Sequence, residues 1–150
     1  MRVREFKSEI RLPLPPEKIF PFFAAAGNLQ WLTPPWLNFT ILTPPPVTMR
    51  EGALIDYQLR VRGIPLRWRT RINVWEPPRR FVDEQLRGPY RQWIHEHIFE
   101  PRDGGTLARD VVRYAVPFDF LVHDWLVRPD IEKIFAYRTG QLRQQFPSPA

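Results

Sequence analysis

Trp93-Ile94-His95-Glu96-His97-Ile98-Phe99 is the stretch that decides the fold. Its alternation predicts a β-strand, because side chains two residues apart on a strand share a face. One face carries two imidazoles between two aromatic rings, from Trp93, His95, His97 and Phe99. A solvent-facing row would not have large rings at both ends, and a packed core would not hold two imidazoles. The pattern favours a mostly apolar cavity with a few polar groups in its wall.

Composition places this strand in one globular domain, expected to cover residues 1–150. Hydrophobic residues make up 43% of the chain, which is enough to build a core, and the 14% of aromatic residues favours one built from rings. The absence of cysteine excludes disulfides, thiolate chemistry and cysteine-based zinc sites. No signal peptide or membrane-length apolar run is evident, so we expect a cytoplasmic protein.

The net charge of +6 has two interpretations. Arginines are predicted on the outer face of one hairpin, at Arg60, Arg62, Arg67, Arg69 and Arg71. Such a face fits RNA or a membrane surface, or it is simply solvated and paired with carboxylates. Sheets that bind nucleic acid interleave exposed aromatics with the cations, whereas here the aromatics alternate inward. We therefore predict no specific nucleic-acid partner and do not predict membrane contact.

The rest of the chain supplies a meander of strands and one long helix. Alternation predicts strands over 3–12, 39–42, 53–62, 66–75, 80–86, the Trp93 stretch and 106–116, with inward positions that include Val74. Helical spacing predicts helices over 17–26 and 29–32, with a stop signal at Gly27, and over 118–145, with a kink or break at Pro129. A proline-rich tail, 147–150, follows. Because the last helix alone can cover the sheet, we expect an α+β fold with a gap between the two.

Polar side chains converge on the expected gap. Asp110 lies on an otherwise apolar strand face, and a buried carboxylate needs partners. His95, His97 and Tyr114 are within reach across the hairpin, and Asp83 shares a face of the neighbouring strand. These groups act as structural hydrogen-bond partners, as ligand contacts, or as an acid–base set of His95, His97 and Asp110.

Two histidines and one distant aspartate are a weak metal pattern, so we predict no metal and no cofactor. The third histidine, His123, is expected to face solvent or the cavity mouth.

Several motifs resemble a bacterial branch of the SRPBCC superfamily, which includes START lipid-transfer domains, the birch-pollen-allergen fold and polyketide cyclase/dehydrases. They are LTPPWL (32–37), GIPLRW (63–68), FVDEQ (81–85), GPY (88–90), WIHEHIF (93–99) and DVVRY (110–114). The resemblance implies a helix-grip fold: a curved seven-stranded antiparallel sheet around a long C-terminal helix, with two short helices after the first strand. It also implies a hydrophobic cavity between sheet and helix. The expected ligand contacts are Tyr57, Trp68, Asp83, Trp93, His95, His97, Phe99, Asp110, Tyr114 and Trp125.

Three functions remain open at this point. The preferred one is binding of a hydrophobic or amphipathic small molecule, such as a lipid, an isoprenoid or quinone, or a polyketide-like compound. The second is a cyclase or dehydratase in which His95 or His97 moves a proton and Asp110 orients it. The third is a basic module that docks on RNA, membrane or protein. Neither the ligand nor the oligomeric state follows from the sequence.

Overall fold

The computed structural model describes residues 1–148, and the last two residues of the expected tail lie outside this range. Its strands are β1 (Arg4–Leu12), β2 (Thr40–Ile41), β3 (Leu54–Val61), β4 (Ile64–Glu76), β5 (Arg80–Arg87), β6 (Gln92–Arg102) and β7 (Gly105–Ala115). Two short helices, α1 (Pro16–Ala24) and α2 (Gly27–Leu32), and a 3-10 turn (Pro35–Leu37) lie between β1 and β2. The last helical elements are α3 (Asp119–Val122), a π-helical turn (His123–Val127) and α4 (Arg128–Gln145).

The strands form one antiparallel sheet in the order β1-β7-β6-β5-β4-β3-β2. Strand β6 lies near the middle, where His97 pairs with Phe81 of β5 on one side and with Asp110 of β7 on the other. The β6–β7 turn uses left-handed backbone at Asp103 (φ 50°) and Gly104 (φ 78°), as expected for a tight hairpin. The seven-stranded sheet, the paired short helices and the long terminal helix confirm the predicted helix-grip fold.

Aromatic rings join α1 to one end of the sheet. The Phe20 ring meets those of Trp75, Phe81 and Phe99 edge-on at 5.1 to 5.9 Å between centroids. Offset and edge-to-face pairs of this kind add to the burial of apolar area. Helix α1 ends at Ala24 rather than Ala26, because Ala25 adopts extended backbone (φ −89°, ψ 107°). Gly27 is not a helix stop and instead begins α2. This cluster closes one end of the space between sheet and helix.

A bulge in β4 reverses which side chains at the end of this strand face the core. The register between β4 and β5 shifts between Ile72 and Val74. Because an extra residue reverses the alternation, Trp75 packs into the core with Phe20 and Phe81, and the prediction that Val74 points inward is wrong.

The terminal helix, residues 119–145, is continuous but changes its winding just before Pro129, where a kink or break was predicted. Pro129 lies in the first turn of α4, where its missing N–H costs little, and the π-helical turn joins α4 to α3. The inward stripe runs along His123, Val127, Ile131, Phe135, Arg138 and Leu142. This stripe, with the sheet, encloses the candidate site. Within residues 1–148, no helix has both the length and the apolar character needed to cross a lipid bilayer.

Two leucines of the terminal helical region provide a matched test of the core. Leu142 is 2% exposed and packs against the aromatic cluster, whereas Leu121 is 62% exposed. Leu142→Ala should lower the free energy of unfolding by about 2 to 5 kcal/mol, the range for a buried leucine. Leu121→Ala should change it by no more than about 0.5 kcal/mol. Urea denaturation followed by circular dichroism measures both, and equal losses would contradict this packing of the helix.

Candidate functional site

A cavity of about 200 Å³ lies between the sheet and α4. Its wall is mostly apolar and draws on β3, β4, β5, β6, the α2–β2 segment and α4. Apolar side chains such as Ile55, Leu59, Ile72, Ile134 and Phe135 make up much of this wall. The predicted gap between sheet and helix is therefore present.

Tyrosine and tryptophan rings line one end of the cavity. Tyr57 and Trp68 stack at 5.8 Å between centroids, and Trp68 meets Tyr90 and Trp93 edge-on at 5.7 and 5.6 Å. The Trp68 indole N–H donates to Thr70 Oγ1 at 3.1 Å, and the Tyr57 hydroxyl lies 3.1 Å from the same oxygen. Burial raises the pKa of Tyr57 above its ordinary value, so its hydroxyl stays neutral. This end presents ring surfaces, and the polar atoms of the Tyr57 and Trp68 rings already have a hydrogen-bond partner in Thr70.

A cluster of two buried histidines and two mostly buried aspartates lies beside these rings. His95 Nε2 donates to Asp110 Oδ1 at 2.7 Å, and His97 Nε2 donates to Asp83 Oδ2 at 2.6 Å. The two imidazoles stack at 3.7 Å between centroids. The four residues meet because β6 lies between β5, which carries Asp83, and β7, which carries Asp110. The two hydrogen bonds run diagonally, since the register places His95 opposite Asp83 and His97 opposite Asp110.

Arg138 of α4 completes the cluster, and the sequence analysis missed it. Its guanidinium lies 3.4 Å from both carboxylate oxygens of Asp110 and 3.4 Å from Nδ1 of His97. Because a guanidinium only donates, Nδ1 of His97 accepts and its proton lies on Nε2. The available signal was an arginine three residues after Phe135 and four before Leu142, on an otherwise apolar stripe.

The cluster holds separated charges in a dry environment. Burial alone would raise the pKa of Asp110, but the charge of Arg138 and the hydrogen bond from His95 hold it well below its usual range. Burial likewise opposes ionisation of Asp83, yet the hydrogen bond from His97 keeps the pKa of Asp83 below its ordinary value. Burial and the neighbouring His95 lower the pKa of His97 to about 4. At neutral pH both carboxylates are therefore charged and His97 is neutral.

The cluster is poorly arranged for a metal, although ligand atoms of Asp83, His95 and His97 lie within 4.8 Å of one another. The lone pair of an imidazole nitrogen lies in the plane of its ring. Two rings stacked at 24° between planes therefore do not direct lone pairs at one point. Both Nε2 atoms also donate to carboxylates, and the Arg138 cation lies alongside. The absence of a metal site stays a prediction that this geometry favours.

Most of the sequence-predicted contacts meet at the cavity. Its wall includes Tyr57, Trp68, Asp83, Trp93, His95 and His97. Asp110 is not part of the lining and supports His95 from behind.

Two of the predicted contacts belong to the packed core instead. Phe99 is 3% exposed and is covered by Phe20 and Phe23 of α1. Tyr114 packs with Ile131 and Phe135, and its hydroxyl bonds to His123 rather than to Asp110. Both side chains lie on the predicted faces of their strands, but helices pack over them.

Trp125 and His123 have exchanged their expected environments. Trp125 is 69% exposed, whereas His123 is 3% exposed and bonds to Tyr114 at 2.7 Å. The inward stripe passes through His123, Val127 and Ile131 at intervals of four residues, which leaves Trp125 on the opposite side of the helix. The prediction that His123 faces solvent or the mouth is therefore wrong. Trp125, a predicted ligand contact, lies outside the cavity wall.

A larger depression of about 670 Å³ is an open surface cleft beside α2 and Tyr137. Thr33 and Phe39 border both this cleft and the cavity. The cleft lacks the histidine cluster, so we regard the cavity between the sheet and α4 as the site.

Three of the five arginines predicted on the outer face are paired with carboxylates. Arg62, Arg69 and Arg71 bind Asp130, Asp56 and Glu84, with distances of 2.8 to 3.4 Å. Exposed pairs of this kind contribute little stability, but they reduce the free positive charge offered to a polyanion.

Acid should destabilise the protein through His97, which faces Asp83, Asp110, His95 and Arg138. The unfolded chain binds the His97 proton near pH 6.5 and the folded chain near pH 4, so stability falls as pH drops through this range. The loss is on the order of 3 kcal/mol. The lowered pKa values of Asp83 and Asp110 act in the same direction at lower pH.

Urea denaturation between pH 7 and pH 4 measures this loss. The variant His97→Gln should flatten the dependence, because glutamine does not titrate there. If the free energy of unfolding of the variant depends on pH as steeply as that of the wild type, another group controls this dependence.

The fold recurs in solved structures. Protein CV1439 from Chromobacterium violaceum is 17% identical over 97% of this chain and 99% of its own, with a TM-score of 0.75. The Zhui aromatase/cyclase from Streptomyces sp. R1128 is 16% identical over 96% of this chain and 93% of its own, with a TM-score of 0.73. These identities establish a shared fold alone.

A third similar structure is the nucleoside-diphosphate sugar epimerase from Corynebacterium glutamicum. It is 26% identical over 93% of this chain but 28% of its own, with a TM-score of 0.66. Among proteins with curated functions, no relative was found.

A family profile covers most of the sequence. The family described as "Polyketide cyclase / dehydrase and lipid transport" matches residues 12–138, from the last residue of β1 to Arg138 within α4. The chain therefore belongs to this polyketide cyclase/dehydrase and lipid transport family of the SRPBCC superfamily.

Proposed function

We propose that this protein binds a small, mainly apolar molecule in the cavity between its sheet and α4. The observation that carries the proposal is the cavity itself: an apolar, ring-lined space with one polar cluster in its wall. A few polar groups in an apolar pocket are typical of sites that orient a ligand. The family description, which names both cyclases and lipid transport, is compatible with such a site.

The cavity volume narrows the preferred ligand. An engineered apolar cavity of about 150 Å³ binds benzene, whereas pockets for drug-sized ligands begin near 300 Å³. A space of about 200 Å³ therefore suits one or two fused rings. A lipid, quinone or longer polyketide would have to extend past Thr33 and Phe39 into the outer cleft.

An enzymatic function is the second candidate, and it rests on the orientation of His95. Its Nε2 donates to Asp110, and no hydrogen bond from residues 1–148 engages its Nδ1. A neutral imidazole held in this way by a carboxylate has the arrangement of a general base. Nδ1 would remove a proton from a carbon between two carbonyls, leaving an enolate and an imidazolium. In a dehydration, that proton would leave with the departing hydroxyl as water.

Only the net charge supports the third hypothesis, a basic docking module. Arg62, Arg69 and Arg71 of the outer face are already paired with carboxylates. Cytoplasmic location stays a prediction.

A cavity-filling variant tests ligand binding. Leu59 is buried in the cavity wall, and Leu54 is an exposed residue of the same strand. Leu59→Trp should occupy the space and weaken binding of 2-naphthol at least about tenfold, which corresponds to about 1.4 kcal/mol. Leu54→Trp should leave binding unchanged. Titration calorimetry measures affinity, and circular dichroism checks that both variants are folded.

Native mass spectrometry of protein purified from its own host provides an independent test. A bound organic species should be present. If none is found and 2-naphthol does not bind, the proposed function is wrong.

The catalytic candidate has its own test. Pentane-2,4-dione carries an acidic methylene between two carbonyls, and its deuterium uptake can be followed by proton NMR. If His95 is the base, His95→Gln should slow catalysed uptake about 10² to 10⁴ fold, the usual contribution of general-base catalysis. His123→Gln is the matched control, because His123 is buried but binds Tyr114 outside the cavity. Equal rates for wild type and His95→Gln would exclude this role.

A further inference from the structure

We infer that the cavity selects uncharged guests over carboxylates and holds a hydroxyl or N–H donor of the guest at Asp83. This inference rests on the proposed function and adds the chemistry by which the ligand is recognised. Three observations carry it: the charge balance of the cluster, the engagement of its arginine, and the free oxygen of Asp83.

The charge balance of the cluster is never positive at neutral pH. Two carboxylates, Asp83 and Asp110, face one guanidinium, Arg138, and His97 is neutral. The cluster therefore carries one net negative charge if His95 is neutral and none if His95 is protonated. Apart from tyrosines, the titratable groups in the cavity wall are Asp83, His95, His97 and Arg138. A carboxylate entering this space would find no uncompensated positive charge.

Two nitrogens of the Arg138 guanidinium, Nε and Nη2, are already engaged. The guanidinium contacts both oxygens of Asp110 and Nδ1 of His97, each at 3.4 Å, and it lies 5.4 Å from the centre of the Phe23 ring. A guest carboxylate would have to compete with Asp110 for this cation. It would also approach Asp83, and like charges in a dry site repel strongly.

Asp83 offers the opposite kind of contact. Its Oδ2 accepts from His97 at 2.6 Å, while Oδ1 accepts no hydrogen bond from residues 1–148. Asp83 also belongs to the cavity wall, unlike Asp110. An ionised carboxylate is an acceptor only, so it matches a hydroxyl or N–H donor, and such charge-assisted bonds are among the stronger ones.

Three probes of nearly one shape separate these effects: 2-naphthamide, 2-naphthoate and 2-acetylnaphthalene. They carry a neutral donor group, a negative charge and a neutral methyl ketone on the same ring system. Titration calorimetry at neutral pH should show 2-naphthamide binding at least about tenfold more tightly than 2-naphthoate. It should also bind more tightly than 2-acetylnaphthalene, which lacks a donor.

The variant Asp83→Asn tests the assigned residue. It raises the net charge of the cluster by one and replaces an oxygen acceptor with an amide. The preference for 2-naphthamide over 2-naphthoate should shrink at least about tenfold. Asp56→Asn is the matched control, because Asp56 pairs with Arg69 on the outer face of the hairpin, and it should leave the preference unchanged.

The outcomes distinguish the two proposals. Binding of 2-naphthoate as tight as that of 2-naphthamide would overturn the inference while leaving ligand binding intact. Failure of all three probes, together with no host-derived ligand, would overturn the proposed function and this inference with it. The wild-type comparison decides the charge preference even if Asp83→Asn does not fold.

Discussion

The burial of two carboxylates in one small space is the constraint on which the rest of the structure depends. An isolated buried carboxylate is costly, and it either takes a proton or acquires partners. Here Asp83 and Asp110 take hydrogen bonds from two stacked imidazoles, and Arg138 supplies the positive charge. The partners come from both neighbours of β6 and from α4, so the network forms only when sheet and helix are assembled. Removing one member of such a network costs far more stability than replacing all members with apolar residues. The network therefore fixes one arrangement of the sheet and α4.

Much of the fold and part of the site could be predicted because alternation along a strand is a local property. The faces of β6 and β7 followed from period-two spacing alone, and with them the meeting of His95 and His97 with Asp110. The position of Asp83 followed from the same rule on β5. Pro129 marked the place where the terminal helix changes its winding, because proline is tolerated mainly in a first helical turn.

The errors arose where a local rule was interrupted by tertiary structure. A bulge in β4 turned Trp75 inward in place of Val74, and the π-helical turn left Trp125 outside while His123 entered the core. Arg138 was missed because its role depends on carboxylates that lie on distant strands. The Phe99 side chain lies on the predicted face of β6, but it packs against α1 and does not line the cavity. Strand spacing shows which side chains point inward, and it does not show what will cover them.

The border that the cavity shares with the outer cleft bears on how a guest would enter. Thr33 and Phe39 border both spaces, and they flank the short segment that leads into β2, a strand of only two residues. Passage there would require movement of a few residues, while α4 and the central strands stay in contact. Opening a short connection is a far smaller event than unfolding. For a guest that passes there, the residence time and the lifetime of the folded chain would be set by different parts of the molecule.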